Sequence, residues 1–251
     1  PIEKTDNINI FNSIENEWYC SNFFRMMNLP VAKSEILTFD DEKVLSVERF
    51  DRLFDKLNER ILRLPQEDFC QVLNIPYFLK YESDGGPCAL DILNIIRQSS
   101  NKKDQSVFFK AQILNWLISA TDGHAKNYSI FLEKDNSFSL APFYDIMSFS
   151  PYLGNKKGQI HKSKIKLAMS IKSSSNKKKY KIDKINRNNW DITASSYKIN
   201  NKQYNKLMEE IIETSIPILN QLNSQLPSTF PSIIAESITN DVINHIKILK
   251  N

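Results

Sequence analysis

Glycine is scarce: five residues in 251, the first of them Gly85. Cysteine is equally sparse and odd in number. Cys20, Cys70 and Cys88 form no C-x-x-C pair, which argues against a disulfide framework and against a structural zinc site. The three histidines, His124, His161 and His245, make no H-x-x-x-H pair, so a histidine-rich metalloenzyme is excluded. No apolar run reaches about eighteen residues, and no signal-peptide core opens the chain. A soluble, cytoplasmic protein with no membrane partner is the expectation.

What is present suits a folded domain. Apolar residues are 41% and charged residues 25%, enough to bury a core and unlike a disordered tail. The length fits one large domain or two lobes sharing a cleft. The net charge of +4 hides an asymmetry. Residues 154–187 hold twelve Lys and Arg against one acid, Asp183. A basic patch on an acidic body points to a polyanion or an acidic partner near that segment.

Periodicity gives the order of elements. A helix is predicted over residues 12–28, with Ser13 near its start and Trp18, Phe23, Phe24 and Met27 at helical spacing. Leu29-Pro30 ends it. Strands over 33–39 and 44–50 follow, joined by Asp40-Asp41-Glu42. Helices are predicted over 65–73, 89–97 and 105–120, with a loop from Tyr81 to Pro87. Two short strands, 128–132 and 138–142, surround a turn. The lysine-rich stretch around Ser173-Ser174-Ser175-Asn176 reads as a mobile loop, and helices over 201–222 and 232–249 close the chain. The fold class is α+β: a small β-containing piece (1–52), then a helical lobe (53–251) with a two-stranded insertion.

One constellation carries chemistry. Asp122-Gly123-His124-Ala125-Lys126-Asn127 lies between a buried helix and a strand, and Asp145 follows the next strand in Pro142-Phe143-Tyr144-Asp145-Ile146. The first Asp can accept or orient a hydroxyl proton. The Asn amide oxygen and the second Asp can hold magnesium against nucleotide phosphates, because hard cations take oxygen ligands. Lys126 could neutralise a transferring phosphoryl group. An Asp-Gly pair is usually a turn and D-x-x-x-x-N is common by chance; the helix–loop–strand–turn–strand–Asp context is what favours a site.

The blocks Asn16-Glu17-Trp18-Tyr19-Cys20, Val47-Glu48-Arg49-Phe50-Asp51-Arg52, Arg63-Leu64-Pro65-Gln66-Glu67-Asp68, Lys80-Tyr81-Glu82-Ser83-Asp84-Gly85-Gly86-Pro87, Ala120 through Asn127 and Pro142 through Ile146 resemble HipA-type serine/threonine kinase toxins. The resemblance runs in order from about Glu15 to the closing helices. It implies a protein-kinase-like (HipA-like) fold, ATP and Mg2+ as cofactors, and a partner antitoxin of the HipB-like helix-turn-helix kind, bound to operator DNA. It implies as target an aminoacyl-tRNA synthetase, whose phosphorylation arrests growth. Carried over by position, Asp122 would be the catalytic base, and Asn127 and Asp145 the magnesium ligands. His124, Ala125, Lys126 and Asn127 would line the phosphates, with Tyr144 beside the metal. Glu48, Arg49 and Phe50 would meet the adenine between the lobes; the bland reading of 48–52 is an ion-pair cluster at a strand end.

One departure stands out. Kinases cradle phosphates with a glycine-rich loop and a strand lysine, and nothing before Glu15 resembles either. In the family they precede the stretch matching Pro1-Ile2. The expectation is an N-terminally clipped portion, or one piece of a split toxin with a small companion subunit, that binds nucleotide poorly. The competing class is a non-catalytic, degenerate kinase-fold module binding an antitoxin/DNA complex.

Lys177, Lys178, Lys179 and Lys181, beside Tyr180, could touch DNA phosphates in an antitoxin complex or form a solvated loop. Either way, kinase activity should not depend on them. His161 is expected in a loop, His245 on a helix surface, Cys20 and Cys88 buried, and Phe143 in the core. Tyr144, Phe149 and Tyr152 could be peptide-binding or core.

Overall fold

The computed structural model describes residues 4–5, 8–174 and 177–251. A minimal pair, β1 (Lys4–Thr5) and β2 (Ile8–Asn9), leads into helix α1 (Ser13–Met26). Tyr19, Cys20, Phe23 and Phe24 form its buried side, and Asn28 turns left-handed (φ 60°) to end the run before Leu29-Pro30. The first hairpin follows, β3 (Ser34–Phe39) with β4 (Glu42–Val47), antiparallel with Phe39 opposite Glu42. Asp40 supplies the positive φ (51°) that so tight a turn requires, which aspartate tolerates.

The second strand is shorter than expected. β4 ends at Val47, with Glu48 N still donating to Lys33 O (2.8 Å), and the connector Glu48-Arg49-Phe50 leads to β5 (Arg52–Asp55), which pairs with β6 (Arg60–Arg63). The expected helix at 65–73 divides into a short strand and a single helical turn. Gln66–Asp68 (β7) pairs with Ser129–Leu132 (β8), and Asp68 then caps a single turn, α2 (Phe69–Val72), by accepting from Cys70 N and Gln71 N. Pro65 therefore precedes a strand, where its missing N–H costs no helical bond.

Helices α3 (Ala89–Ile96) and α4 (Asp104–Leu117) follow. Nearly every residue of α4 from Phe108 onward is buried, so it forms the centre of the molecule. Its buried Lys110 is paired with Glu210 at 2.7 Å and donates to Met27 O, which satisfies a charge that would otherwise be costly. β8 and β9 (Phe138–Leu140) form the expected hairpin, completing an antiparallel sheet of order β7-β8-β9.

The basic segment is not a loop as a whole. β10 (Lys166–Lys172) and β11 (Lys178–Lys181) pair antiparallel, and Leu167 through Ile171 are buried. Lysines flank an apolar run that packs on the core. Ser175 and Asn176 lie outside the described residues. Helix α5 (Arg187–Ser196) was not anticipated; Asn186 and Asn189 cap it reciprocally, while Trp190, Thr193 and Ala194 face inward. Helices α6 (Asn201–Ser224) and α7 (Ser232–Lys250) close the chain.

Trp116, Trp190, Tyr19, Phe23, Phe24, Phe69, Phe108 and Phe109 are the large side chains at the centre, each worth roughly 1.5–3 kcal/mol of burial. Phe143 joins this core and Cys20 is buried, but Cys88 is half-exposed at the start of α3, where its backbone N–H donates to Asp91. His245 is buried, not a surface residue. It shares a face of α7 with Ile238, Val242, Ile246 and Leu249, and it stacks on Trp116 at 4.4 Å between ring centres. No helix among the described residues is long and apolar enough to cross a membrane.

Candidate active site

The end of α4 sets the geometry. Ser119 takes a left-handed turn (φ 53°), and the chain reverses into a loop closed on itself. His124 N donates to Asp122 O at 2.8 Å, and Asn127 Nδ2 donates to the same carbonyl at 2.8 Å. A single 3₁₀ turn, Ala125–Asn127, then delivers the chain into β8. The β8–β9 hairpin returns to Asp145, itself left-handed at φ 58°. Asn127, Asp122 and Asp145 are thereby brought together: both carboxylates border one cleft of about 410 Å3, with Glu17, Lys43, Leu45 and Met147 among its walls.

The electrostatics follow from crowding. Burial and the neighbouring Asp122 raise the Asp145 carboxyl above its ordinary range, and His124 together with a hydrogen bond from Asn127 opposes them. Burial lowers the His124 imidazole, the negative Asp122 opposes that, and nearby Lys80 adds to the lowering. His124 Nε2 stands 3.8 Å from Asp122 Oδ2, and its Nδ1 is buried with no hydrogen-bond partner among the described residues. The other carboxylate oxygen, Oδ1, accepts from the Tyr81 hydroxyl.

Three neighbours escaped the sequence reading as site residues. Tyr81 and Lys80 come from a loop about forty positions upstream. Glu17, on α1, has its carboxyl pushed up to about 7 by burial and by Asp145. The signal for Glu17 was its place beside Asn16 on the buried side of a helix. A folded-state value above the ordinary 4.5 makes the neutral form the favoured one, so this contribution to stability is complete below about 4.5 and disappears as pH rises through 7. Glu17→Gln should therefore be more stable than wild type at pH 7.5, by about 1–3 kcal/mol, and equal at pH 4.5. Urea unfolding at the two pH values checks this; equal stabilities at pH 7.5 would contradict it.

The remaining expected residues divide. Ala125 is buried against Lys80 O, and Tyr144 donates to Lys126 O at 2.7 Å while bonding Ser129. The Phe50 ring packs tilted against Tyr144 with centres 5.7 Å apart, which joins the connector to the Asp122–Asn127 loop. Lys126 does not stand free for a phosphate: its ammonium is 2.6 Å from Asp68. Glu48 pairs loosely with Lys33, and Arg49 with Arg52 grips buried Asp51, whose carboxyl the Arg49 hydrogen bond first and the arginine charges hold down at about 2. That is the ion-pair cluster of the bland reading. Of the lysine cluster, Lys178 reaches Glu82 (3.1 Å) and Lys179 reaches Lys184 O and Asn189, while Lys177 and Lys181 are exposed.

Among the described residues no three His, Cys, Asp or Glu side chains converge as a metal cage. Asn127 and Asp145 nevertheless fit magnesium, which commonly takes one or two protein oxygens and completes its shell with phosphates and water. Asn16, fully buried on α1, steadies the segment beyond Asp145 by donating Nδ2 to Ser148 O (2.8 Å) and accepting from Ser148 N (2.9 Å).

A helical lobe with paired Asp and Asn at a hairpin-bounded cleft has the α+β architecture of a protein-kinase-like fold. Of solved structures, HipA of Shewanella oneidensis in complex with HipB and operator DNA superposes with a TM-score of 0.81 at 20% identity, over 97% of this chain and 57% of that one. The Helicobacter pylori proinflammatory kinase CtkA matches with a TM-score of 0.58 at 13% identity, over 95% and 84%. The HipA-like C-terminal domain model matches residues 2–217, and the chain belongs to that family. By sequence it is 35% identical over 140 residues to a kinase-named protein of Sinorhizobium fredii, Y4mE, and 30% identical over 150 residues to the serine/threonine-protein kinase toxin HipA of Shewanella oneidensis. Each match covers 55% of this chain but only about a third of the relative, 33% and 34%.

Proposed function

We propose that this protein is the catalytic part of a HipA-like serine/threonine kinase toxin, which transfers the γ-phosphoryl group of ATP to a protein hydroxyl. The observation that carries the reading is the Asp122–Asn127–Asp145 arrangement. One amide closes the loop on the Asp122 carbonyl, and Asp122, Asn127 and Asp145 line one pocket, so the base and the two candidate ligands sit together. Asp122 would take the proton of the attacking hydroxyl as its oxygen bonds phosphorus, and ADP would leave. Asn127 Oδ1 and Asp145 would hold magnesium, which supplies charge neutralisation at the β- and γ-phosphates when bound. Lys80, electrostatically coupled to His124 and Asp145, is better placed than Lys126 to add positive charge.

The proposed partner is a HipB-like helix-turn-helix antitoxin on operator DNA, as in the complex of the Shewanella oneidensis neighbour. The family resemblance points to an aminoacyl-tRNA synthetase as substrate. In that assembly the exposed Lys177 and Lys181 are the members of the lysine cluster open to phosphates.

Asp145→Ala removes a carboxylate from an all-oxygen site and should weaken magnesium-dependent nucleotide binding at least tenfold, leaving magnesium-free binding unchanged. Titration calorimetry with a non-hydrolysable ATP analogue measures both. Equal affinities for variant and wild type in magnesium would remove Asp145 from the ligand set.

A further inference from the structure

The Tyr81–Pro87 loop touches the candidate base. Tyr81 donates its hydroxyl to Asp122 Oδ1, its ring stands edge-on to His124 at 5.0 Å, and Lys80 Nζ lies 5.1 Å from the ring centre. The loop beneath it has little freedom. Asp84 N and Gly86 N both donate to Tyr81 O, and a Cβ on Gly86 would fall 1.9 Å from Leu79 O, so no other residue fits there.

Glu82, the next residue, is buried and fully engaged by the β10–β11 hairpin. It accepts from Ser170 N (2.6 Å) and Ser170 Oγ (2.9 Å), and Lys178 Nζ stands at 3.1 Å. A buried carboxylate so partnered anchors its backbone. The contacts therefore run without a gap from the hairpin to Glu82, through one peptide bond to Tyr81, and on to Asp122.

Asp122 needs such a partner. Its side chain is 48% exposed and hangs from a loop, whereas a general base must hold one oxygen in line with the incoming hydroxyl. Tyr81 fixes Oδ1 and leaves Oδ2 to take the proton. We propose that Tyr81 is a positioning residue for the base Asp122, and that the Glu82–Lys178 ion pair seats it. The proposal rests on the kinase reading above, and it reverses the expectation that Lys178 has no bearing on catalysis.

Tyr81→Phe, which deletes one oxygen, should lower kcat about tenfold in the full chain, with KM for ATP and the melting temperature unchanged. Lys178→Met should lower kcat several-fold alone and add nothing to Tyr81→Phe, because both act through one contact. Lys166→Met, an exposed lysine on the same hairpin, should leave kcat as it is. A second measurement needs no turnover: with 13C-labelled tyrosine, the Tyr81 phenol should titrate above its ordinary range, because burial and the Asp122 carboxylate hold its proton, and Asp122→Asn should bring it down.

Full kcat in Tyr81→Phe, a raised KM or lowered melting temperature in that variant, or a Tyr81 titration indifferent to Asp122→Asn would each overturn the positioning role while leaving the kinase reading intact. A wild-type chain that transfers no phosphate to any protein, with Tyr81 titrating as described, would overturn the kinase reading and with it the catalytic part of the proposal.

Discussion

Asp122→Asn is expected to reduce phosphoryl transfer by about 10²–10⁴-fold, the usual contribution of a positioned general base, and to leave the fold unchanged. The amide is the same size as the carboxylate and can still accept from Tyr81. The loop is closed through the Asp122 main-chain oxygen, which both His124 N and Asn127 Nδ2 use, so its closure does not depend on the side chain's charge. What the variant lacks is a group able to take a proton. Single-turnover transfer on a protein substrate, read beside a melting curve, separates the two effects. Undiminished transfer, or growth arrest by the variant equal to wild type, would count decisively against Asp122 as the base.

The largest stability effect is expected far from the cleft, at Asp241. This buried carboxylate of α7 accepts from Ser119, from Ser150 at 2.8 Å and from Lys162 at 2.6 Å. Burial works against its charge. The electrostatic pull of His245, then the Lys162 and Ser119 hydrogen bonds, outweigh that and hold its carboxyl below the ordinary range. Asp241→Ala leaves the buried Ser119 hydroxyl without its acceptor and Lys162 without its carboxylate, and opens a cavity, so it should cost about 2–4 kcal/mol. For a domain of this size that lowers the melting temperature by roughly 5–15 °C. A loss below about 0.5 kcal/mol would show that the network is not structural.

The same network fixes the response to acid. A depressed folded-state value means a contribution present above the unfolded value and lost as pH falls. For His245, lowered chiefly by burial, the loss begins below about 6.5; for Asp241 it begins below about 3.8. Because Ser119 sits three residues before Asp122, the acid-sensitive joint is also the support of the Asp122–Asn127 loop.

The candidate site residues were legible because they are close in sequence or fixed by a hairpin: six consecutive positions hold Asp122 and Asn127, and β8–β9 determines where Asp145 falls. α1, α3 and α4 were legible from apolar spacing. Tyr81 was not, because its meeting with Asp122 spans 41 positions and depends on how a glycine-tight loop packs. The basic segment misled because its lysines drew attention from Leu-Ala-Met-Ser-Ile between them, a short apolar run of the kind that forms a buried strand. α5 is rich in Asn, Asp, Ser and Thr, which read as a loop until the capping pair is recognised. His245 could have been placed, since positions 238, 242, 245, 246 and 249 mark one helical face.

The clamp between Asn16 and Ser148 has a mechanical consequence. One side chain grips both the N–H and the C=O of Ser148, three residues past Asp145, so α1 and the segment after Asp145 are tied into a single lever. The hairpin β3–β4 rests on the outer side of that same helix. Asparagine is suited to the pivot because one arm gives a hydrogen bond and the other receives one. An isosteric aspartate would set two oxygens against each other and release the lever from its load.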